Sequence, residues 1–275
     1  MAKMTKNILL VIAFLGLISC RQEKKTSAIK VKDVYQSTYT VSQLCDKLEF
    51  SFKHSQYDSL RRIFVEWNGT ISPNSEDFIY QNDTINAIFS IYREFYKPFD
   101  LLKLGEWEWG NDLNSECEYV VVQNKIYYSV LSRRKIDDFD WEESKIDSIE
   151  NFRPPVNLDM NKVLYLTNEY AEAITNFLGT ESTEFGEGNI MNPSRAKGES
   201  EKRYEILRQF ISILHGHWGG YWHIETHPII SVLVFNNTLT KAKIYFRVGY
   251  QGGETFLEKR DNNWIITESE ATWIE

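Results

Sequence analysis

An α+β fold is what this chain predicts: helices first, an antiparallel meander sheet last. Two observations carry that expectation. In the first part of the folded body, apolar side chains recur at helical three- and four-residue spacing. Toward the C-terminus, short β-branched and aromatic runs alternate with turn residues at hairpin spacing. The composition, 42% hydrophobic and 14% aromatic, is that of a globular chain. Helices followed by successive hairpins bury their apolar faces as two packed layers.

The elements follow in chain order. "MAKMTKNILLVIAFLGLISC" has a basic start at Lys3 and Lys6 and an apolar run from Ile8 to Ile18. That run is shorter than the roughly 20 apolar residues needed to span a bilayer, and it suits the core of a secretion signal. "RQEKKTSAIKVKD" is polar, charged and without apolar period, so residues 20–38 are expected to form a flexible tether. Between Thr40 and Trp67, Leu44, Leu48 and Phe52 and then Leu60, Phe64 and Trp67 predict a helix pair broken at His54–Gln56. "DTINAIFSIYREFYKP" is another helix, with Asp83 or Thr84 as cap. "CEYVVVQNKIYYSVLS" is expected to give two strands around Gln123-Asn124.

The charged stretch from Arg133 to Asn161, with Pro154-Pro155, is the expected boundary between two regions, 39–150 and 156–275. Beyond it come a short helix closed by Gly179, an aperiodic Gly/Ser-rich loop, and a helix over 199–214 striped by Tyr204, Leu207, Ile211 and Leu214. Five strands are then expected, punctuated by Pro228, Asn236-Asn237, Gly252-Gly253 and Asn262-Asn263.

Two resemblances bear on function. Leu17-Ile18-Ser19-Cys20 resembles the lipobox of bacterial lipoproteins. This implies that residues 1–19 are removed and that Cys20 becomes an acylated N-terminus, with the membrane as a partner through the lipid. In the last strands, Ala242, Phe246, Gly253, Lys259 and Trp264-Ile265-Ile266 resemble the NTF2-like (cystatin-like) group. That implies a cone between sheet and helices able to hold a ligand in residues 156–275, with an additional N-terminal α+β region. The whole chain is similar to envelope lipoproteins of the Bacteroidota, which implies a cell-envelope location and no particular activity.

Charge narrows the partners. Removal of Lys3 and Lys6 from 31 basic against 39 acidic residues deepens the formal charge from −8 to −10. Such a surface is not expected to seek nucleic acid, whose binding depends on Lys and Arg neutralising phosphates. A small molecule, a glycan or another envelope protein is the expected partner, and no cofactor is expected. Cys45 and Cys117 remain after lipidation, and they could form one disulfide in an oxidising compartment or stay as two buried thiols.

The densest functional signal is "HGHWGGYWHIETH", residues 215–227. Strand alternation would put His223, Glu225 and His227 on one face, with His215, His217 and Tyr221 approaching across Gly219-Gly220. Three readings are open. His223, Glu225 and His227 could hold a metal, since three such ligands and an open position make a catalytic zinc site. All six side chains could line a pocket for an organic or glycan ligand on the concave side of the sheet. The segment could also be packed structure. Trp107 and Trp109 in "GEWEWGND" are expected on one strand face, as core or as a sugar-stacking platform. The acidic pairs Glu254/Glu258 and Glu268/Glu270 are expected on solvated faces. There is no G-x-S-x-G elbow and no phosphate-binding glycine loop. The function expected is therefore ligand binding or assembly by a lipid-anchored protein. The alternative is a hydrolase or isomerase using His223, Glu225 or His227, with or without a metal.

Overall fold

Thr40 sets the start of the first helix, α1 (Val41–Lys53). Its hydroxyl accepts from the Gln43 N–H while the Gln43 side chain accepts from the Thr40 N–H, so two otherwise unpaired donors are satisfied reciprocally. The computed structural model describes residues 28–29, 38–132, 135–158, 162–180, 195–196, 198–216 and 222–274. α1 buries Leu44 and Leu48, and α2 (Tyr57–Thr70) buries Leu60, Phe64 and Trp67, giving the helix pair that the apolar spacing predicts. One-turn α3 (Glu76–Ile79) leads to α4 (Asp83–Phe95). The cap of α4 is Asn82, one residue before the expected position, because its side chain reaches the Ile85 N–H at 2.8 Å.

α4 lies against a seven-stranded sheet. The strand order is β1 (Ala28–Ile29), β4 (Asp147–Glu150), β3 (Lys125–Leu131), β8 (Ile229–Asn236), β9 (Lys241–Val248), β10 (Gln251–Arg260) and β11 (Asn263–Ile274). From β8 to β11 the pairing is the expected antiparallel meander. Ala242, Ile244, Phe246 and Val248 of β9 face the helices, and Phe246 meets the Phe95 ring of α4 edge-on at 4.9 Å.

The sheet runs across the expected boundary of the two regions. β3 pairs in parallel with β8, from Tyr128↔Leu233 to Leu131↔Asn236, so regions 39–150 and 156–275 share one sheet. They also share one core, which runs from Leu44 to Trp264. Without β8, that stretch of β3 would be an unpaired edge carrying apolar side chains. Part of the expected tether also belongs to the sheet, since Ala28 and Ile29 pair with Ser148 and Ile149.

β2 (Tyr119–Val122) and β5 (Lys162–Tyr165) form a separate parallel pair, so the strands on either side of Gln123-Asn124 go to different sheets. The Gln123 amide bridges the split, donating to Ile230 O (3.1 Å) and accepting from Ile230 N–H (2.8 Å). α5 (Asn168–Leu178) ends at Gly179, φ 70°, as expected. α6 (Glu199–Leu207) stops well short of 214. The Phe210 and Ile211 N–H groups turn back onto Leu207 O, and Tyr119 N–H takes Phe210 O at 2.8 Å, which draws the chain off the helix and onto β2.

The charged stretch expected as a boundary covers the other face of the sheet. Phe139 packs with Tyr245 against Leu131, Val232 and Val234. Among the described residues no helix is long and apolar enough to cross a membrane.

Candidate functional site

Two short strands, β6 (Leu214–His215) and β7 (Trp222–His223), pair antiparallel and carry the start of the histidine segment. Trp222 anchors this hairpin. Its indole N–H donates to Gly179 O at 2.8 Å, and its ring stacks near Tyr204 and meets His215 edge-on at 4.6 Å. The Tyr250 hydroxyl donates to His215 O at 2.9 Å, tying the hairpin to the turn between β9 and β10.

After His223 the chain does not continue as a regular strand, yet it is held at every residue. Ile224 is buried. Thr226 pairs with β2 like a neighbouring strand: its N–H donates to Val121 O (2.8 Å) and its hydroxyl accepts from Val121 N–H (2.9 Å). Thr226 O accepts from the Tyr96 hydroxyl at 3.0 Å. His227 O accepts from the Asn114 amide at 2.9 Å, and the same amide holds Pro98 O at 2.8 Å.

The side chains do not meet as a metal set. The His223 and His227 rings lie with centroids 6.0 Å apart. His223 Nε2 faces Arg247 Nη1 at 3.3 Å, where the guanidinium, having no acceptor, donates and His223 accepts. Among the described residues no three His, Cys, Asp or Glu side chains come together as metal ligands would, so the trio His223, Glu225 and His227 is not brought together as one.

Nor is His227 open to water. It is 1% exposed, and Nε2 is buried without a hydrogen-bond partner among the described residues. Burial, with His223 and Arg247 nearby, pushes its imidazole down to about 3, so it is neutral at ordinary pH. Glu225 is half-buried, and burial pushes its carboxyl up while the backbone N–H groups of Glu225 and Ile224 pull the other way. At His227 the expected water-filled pocket on the concave face gives way to a buried, pinned segment. His215 is half-buried. His217, Tyr221 and Cys20, the expected lipidation residue, lie outside the described residues.

Cys45 and Cys117 do not form the disulfide that the sequence left open. Cys45 sits on α1 with its sulfur near Ala173 O at 3.8 Å, whereas Cys117 is buried with its sulfur 3.1 Å from Asn114 O. Burial pushes the Cys117 thiol up to about 11, which makes it inert.

Trp107 and Trp109 do not form a sugar platform. The segment is a turn rather than a strand. Trp107 is buried against Phe246 at 5.3 Å, and Trp109 meets Tyr250 at 5.5 Å.

Three side chains around the segment carry no motif and were not expected there. Tyr92 and Tyr96, four apart on α4 and its C-cap, stack at 4.9 Å. The Tyr92 hydroxyl is buried without a partner among the described residues, and burial, with Glu225 adding, holds it well above its ordinary range. Asn114 lies in a short turn. The tyrosine spacing was a readable signal for a shared helix face; Asn114 offered none.

Compared with protein-family models, curated proteins and solved structures, the chain matches none.

Proposed function

We propose that this is a lipid-anchored cell-envelope protein whose folded body binds a ligand or partner rather than catalysing a reaction. The observation that carries the binding role is the sheet face away from the helices. There Trp141 and Trp273 stay 51% and 50% exposed, although large aromatic side chains normally supply the core. The histidine segment favours the same reading. A general acid or base works best near the ambient pH and within reach of substrate, and His227 is buried and held near 3. The anchoring part rests on the Leu17–Cys20 pattern. The antiparallel run β8–β11 with α4 packed on one face supports the NTF2-like resemblance for the C-terminal strands.

The test is fractionation of a bacterial host expressing full-length protein and its Cys20→Ala variant. The parent is expected in the membrane fraction through high-salt washing, and the variant in the soluble fraction with an unchanged circular dichroism spectrum. Retention of the variant in salt-washed membranes would refute lipid anchoring at Cys20.

A further inference from the structure

We propose that the sheet face turned away from the helices binds a neutral glycan, stacked on Trp141 and Trp273. This rests on the reading of the folded body as a binding module and names its ligand class.

The register builds the face. Lys243, Tyr245 and Arg247 alternate outward along β9, opposite the inward Ala242, Ile244, Phe246 and Val248. On β10 the outward partners are Phe256 beside Lys243, Glu254 beside Tyr245 and Gly252 beside Arg247. On β11, Trp273 lies across from Gly252, Glu270 from Glu254 and Glu268 from Phe256. From the other side Trp141 reaches over the strands, with its ring 6.0 Å from Tyr245 and 5.3 Å from Phe139. Tyr245 and Arg247, two positions apart, are about 7 Å from each other along the strand. The two tryptophans therefore stand on the same face of the sheet.

Each ring is placed by its surroundings. A Cβ on Gly252 would fall 1.9 Å from Trp273 Cε2, so only a glycine lets the indole lie across the strand there. The Arg247 guanidinium stands 5.8 Å from the centre of that indole. Between the rings, Lys243 pairs with Glu254 at 2.5 Å, and its ammonium lies over Tyr245 and Phe256 at 4.7 and 4.8 Å.

Charge and surface chemistry select the ligand. An aromatic face carries negative charge density, which suits the C–H face of a sugar ring. The hydroxyl edge of the sugar needs donors and acceptors: the Arg247 guanidinium, one of whose five N–H groups faces His223, offers the first, and the exposed carboxylates of Glu268 and Glu270 offer the second. An anion would meet Glu254, Glu268 and Glu270; a cation would meet Arg247 and Lys243. An apolar protein patch would desolvate Arg247 and Glu254 without returning a hydrogen bond. A neutral chain that alternates C–H and O–H surface matches rings interleaved with charges of both signs.

The test is titration calorimetry on the full-length protein in detergent against neutral hexasaccharides: β-1,4-glucose, α-1,4-glucose, β-1,4-xylose and α-1,6-mannose. At least one is expected to bind with Kd below about 1 mM and to quench tryptophan fluorescence. Trp141→Ala and Trp273→Ala should each weaken that binding at least about tenfold, with thermal midpoints within about 2 °C of the parent. The Trp141→Phe/Trp273→Phe double variant keeps both rings and should retain most of the binding, which separates loss of stacking from loss of fold. No binding by any of the four sugars overturns the proposal, as does binding that survives the double alanine variant. So does capture of phosphatidylcholine vesicles through the same two tryptophans without sugar binding, which would assign the face to a membrane. The Cys20→Ala fractionation is independent of these outcomes, so failure of the glycan proposal leaves the anchoring reading standing, and the reverse.

Discussion

Segments 222–227 and 135–144 both combine aromatic rings with ionisable side chains; the first runs beside β6 and β2, and the second packs over β8 and β9 of the seven-stranded sheet. They end up in opposite conditions. In the first, Thr226 O, Thr226 N–H and His227 O are all tied to other elements, and His227 is fully covered. In the second, Phe139 closes a small apolar patch with Tyr245 while Trp141 keeps half its surface in water. Clustering of reactive residue types in sequence thus marks the segment that needed the most internal pairing. The exposed aromatic surface is carried by residues with no motif among them.

The sharpest way to break this comparison is to exchange inside for outside on one strand. Phe246 points inward, 2% exposed, with Phe95 and Trp107 edge-on to it. Phe246→Ala should cost about 3–5 kcal/mol, read from the urea midpoint. A loss below about 1 kcal/mol would mean that the inner face is not the core side.

A second way is pH. The folded-state pKa of His227 lies near 3, below its ordinary 6.5. Above 6.5 the group is neutral in both states and stability is fully present. As pH falls below 6.5 the unfolded chain takes up a proton that the folded chain refuses. Stability should then fall by up to about 1.4 kcal/mol per pH unit until about pH 3. Glu225, raised by burial, acts with the opposite sign: folding gains as pH falls through its raised pKa toward the ordinary 4.5. Comparing parent with His227→Leu isolates the histidine. The variant should show a shallower loss between pH 6.5 and 4.5, and identical slopes would show that His227 is not held neutral.

How much of this could be read beforehand follows from the same contrast. Helix stripes such as Leu60, Phe64 and Trp67 were legible because period and burial agree. The β8–β11 meander was legible because its turns carry Asn and Gly. The partnership of β3 with β8 was not, since a parallel pairing across a hundred residues leaves no local signal. The end of α6 at Leu207 was missed because Ile211 and Leu214 keep the helical spacing, and only the backbone of Tyr119 draws the chain away. Among aromatics, "WEW" at 107–109 is open to a core or a platform reading, and it is packed against Phe246 and Tyr250. Trp141 sits in a charged run and Trp273 near the C-terminus, 132 positions apart in sequence. Only the β9–β11 register and the packing of Trp141 on Tyr245 put them on one face.

A third test bears on what locks the histidine segment. Thr226→Val keeps the shape of the side chain but deletes the acceptor of Val121 N–H, a group on a fully buried strand. The orphaned donor should cost about 1–3 kcal/mol. Hydrogen exchange of the Val121 amide should rise with it. Unchanged exchange would show that the segment is held by packing alone, without this pair.

The smallest expected effect is on the outer face, and its smallness is the point. Trp273 is a large ring, so cutting it to alanine inside a core would cost as much as Phe246→Ala. On β11 it is half exposed, resting on the bare backbone of Gly252 with the Arg247 guanidinium 5.8 Å from its ring centre. The folded state covers only about half of it, so its burial contributes less than that of a core ring. Trp273→Ala should therefore shift stability by no more than about 0.5 kcal/mol, as for surface positions away from special features. A urea midpoint lowered as far as that of Phe246→Ala would make Trp273 part of the scaffold. A midpoint near the parent value, with sugar binding lost, would leave an exposed indole that folding does not require and ligand binding does.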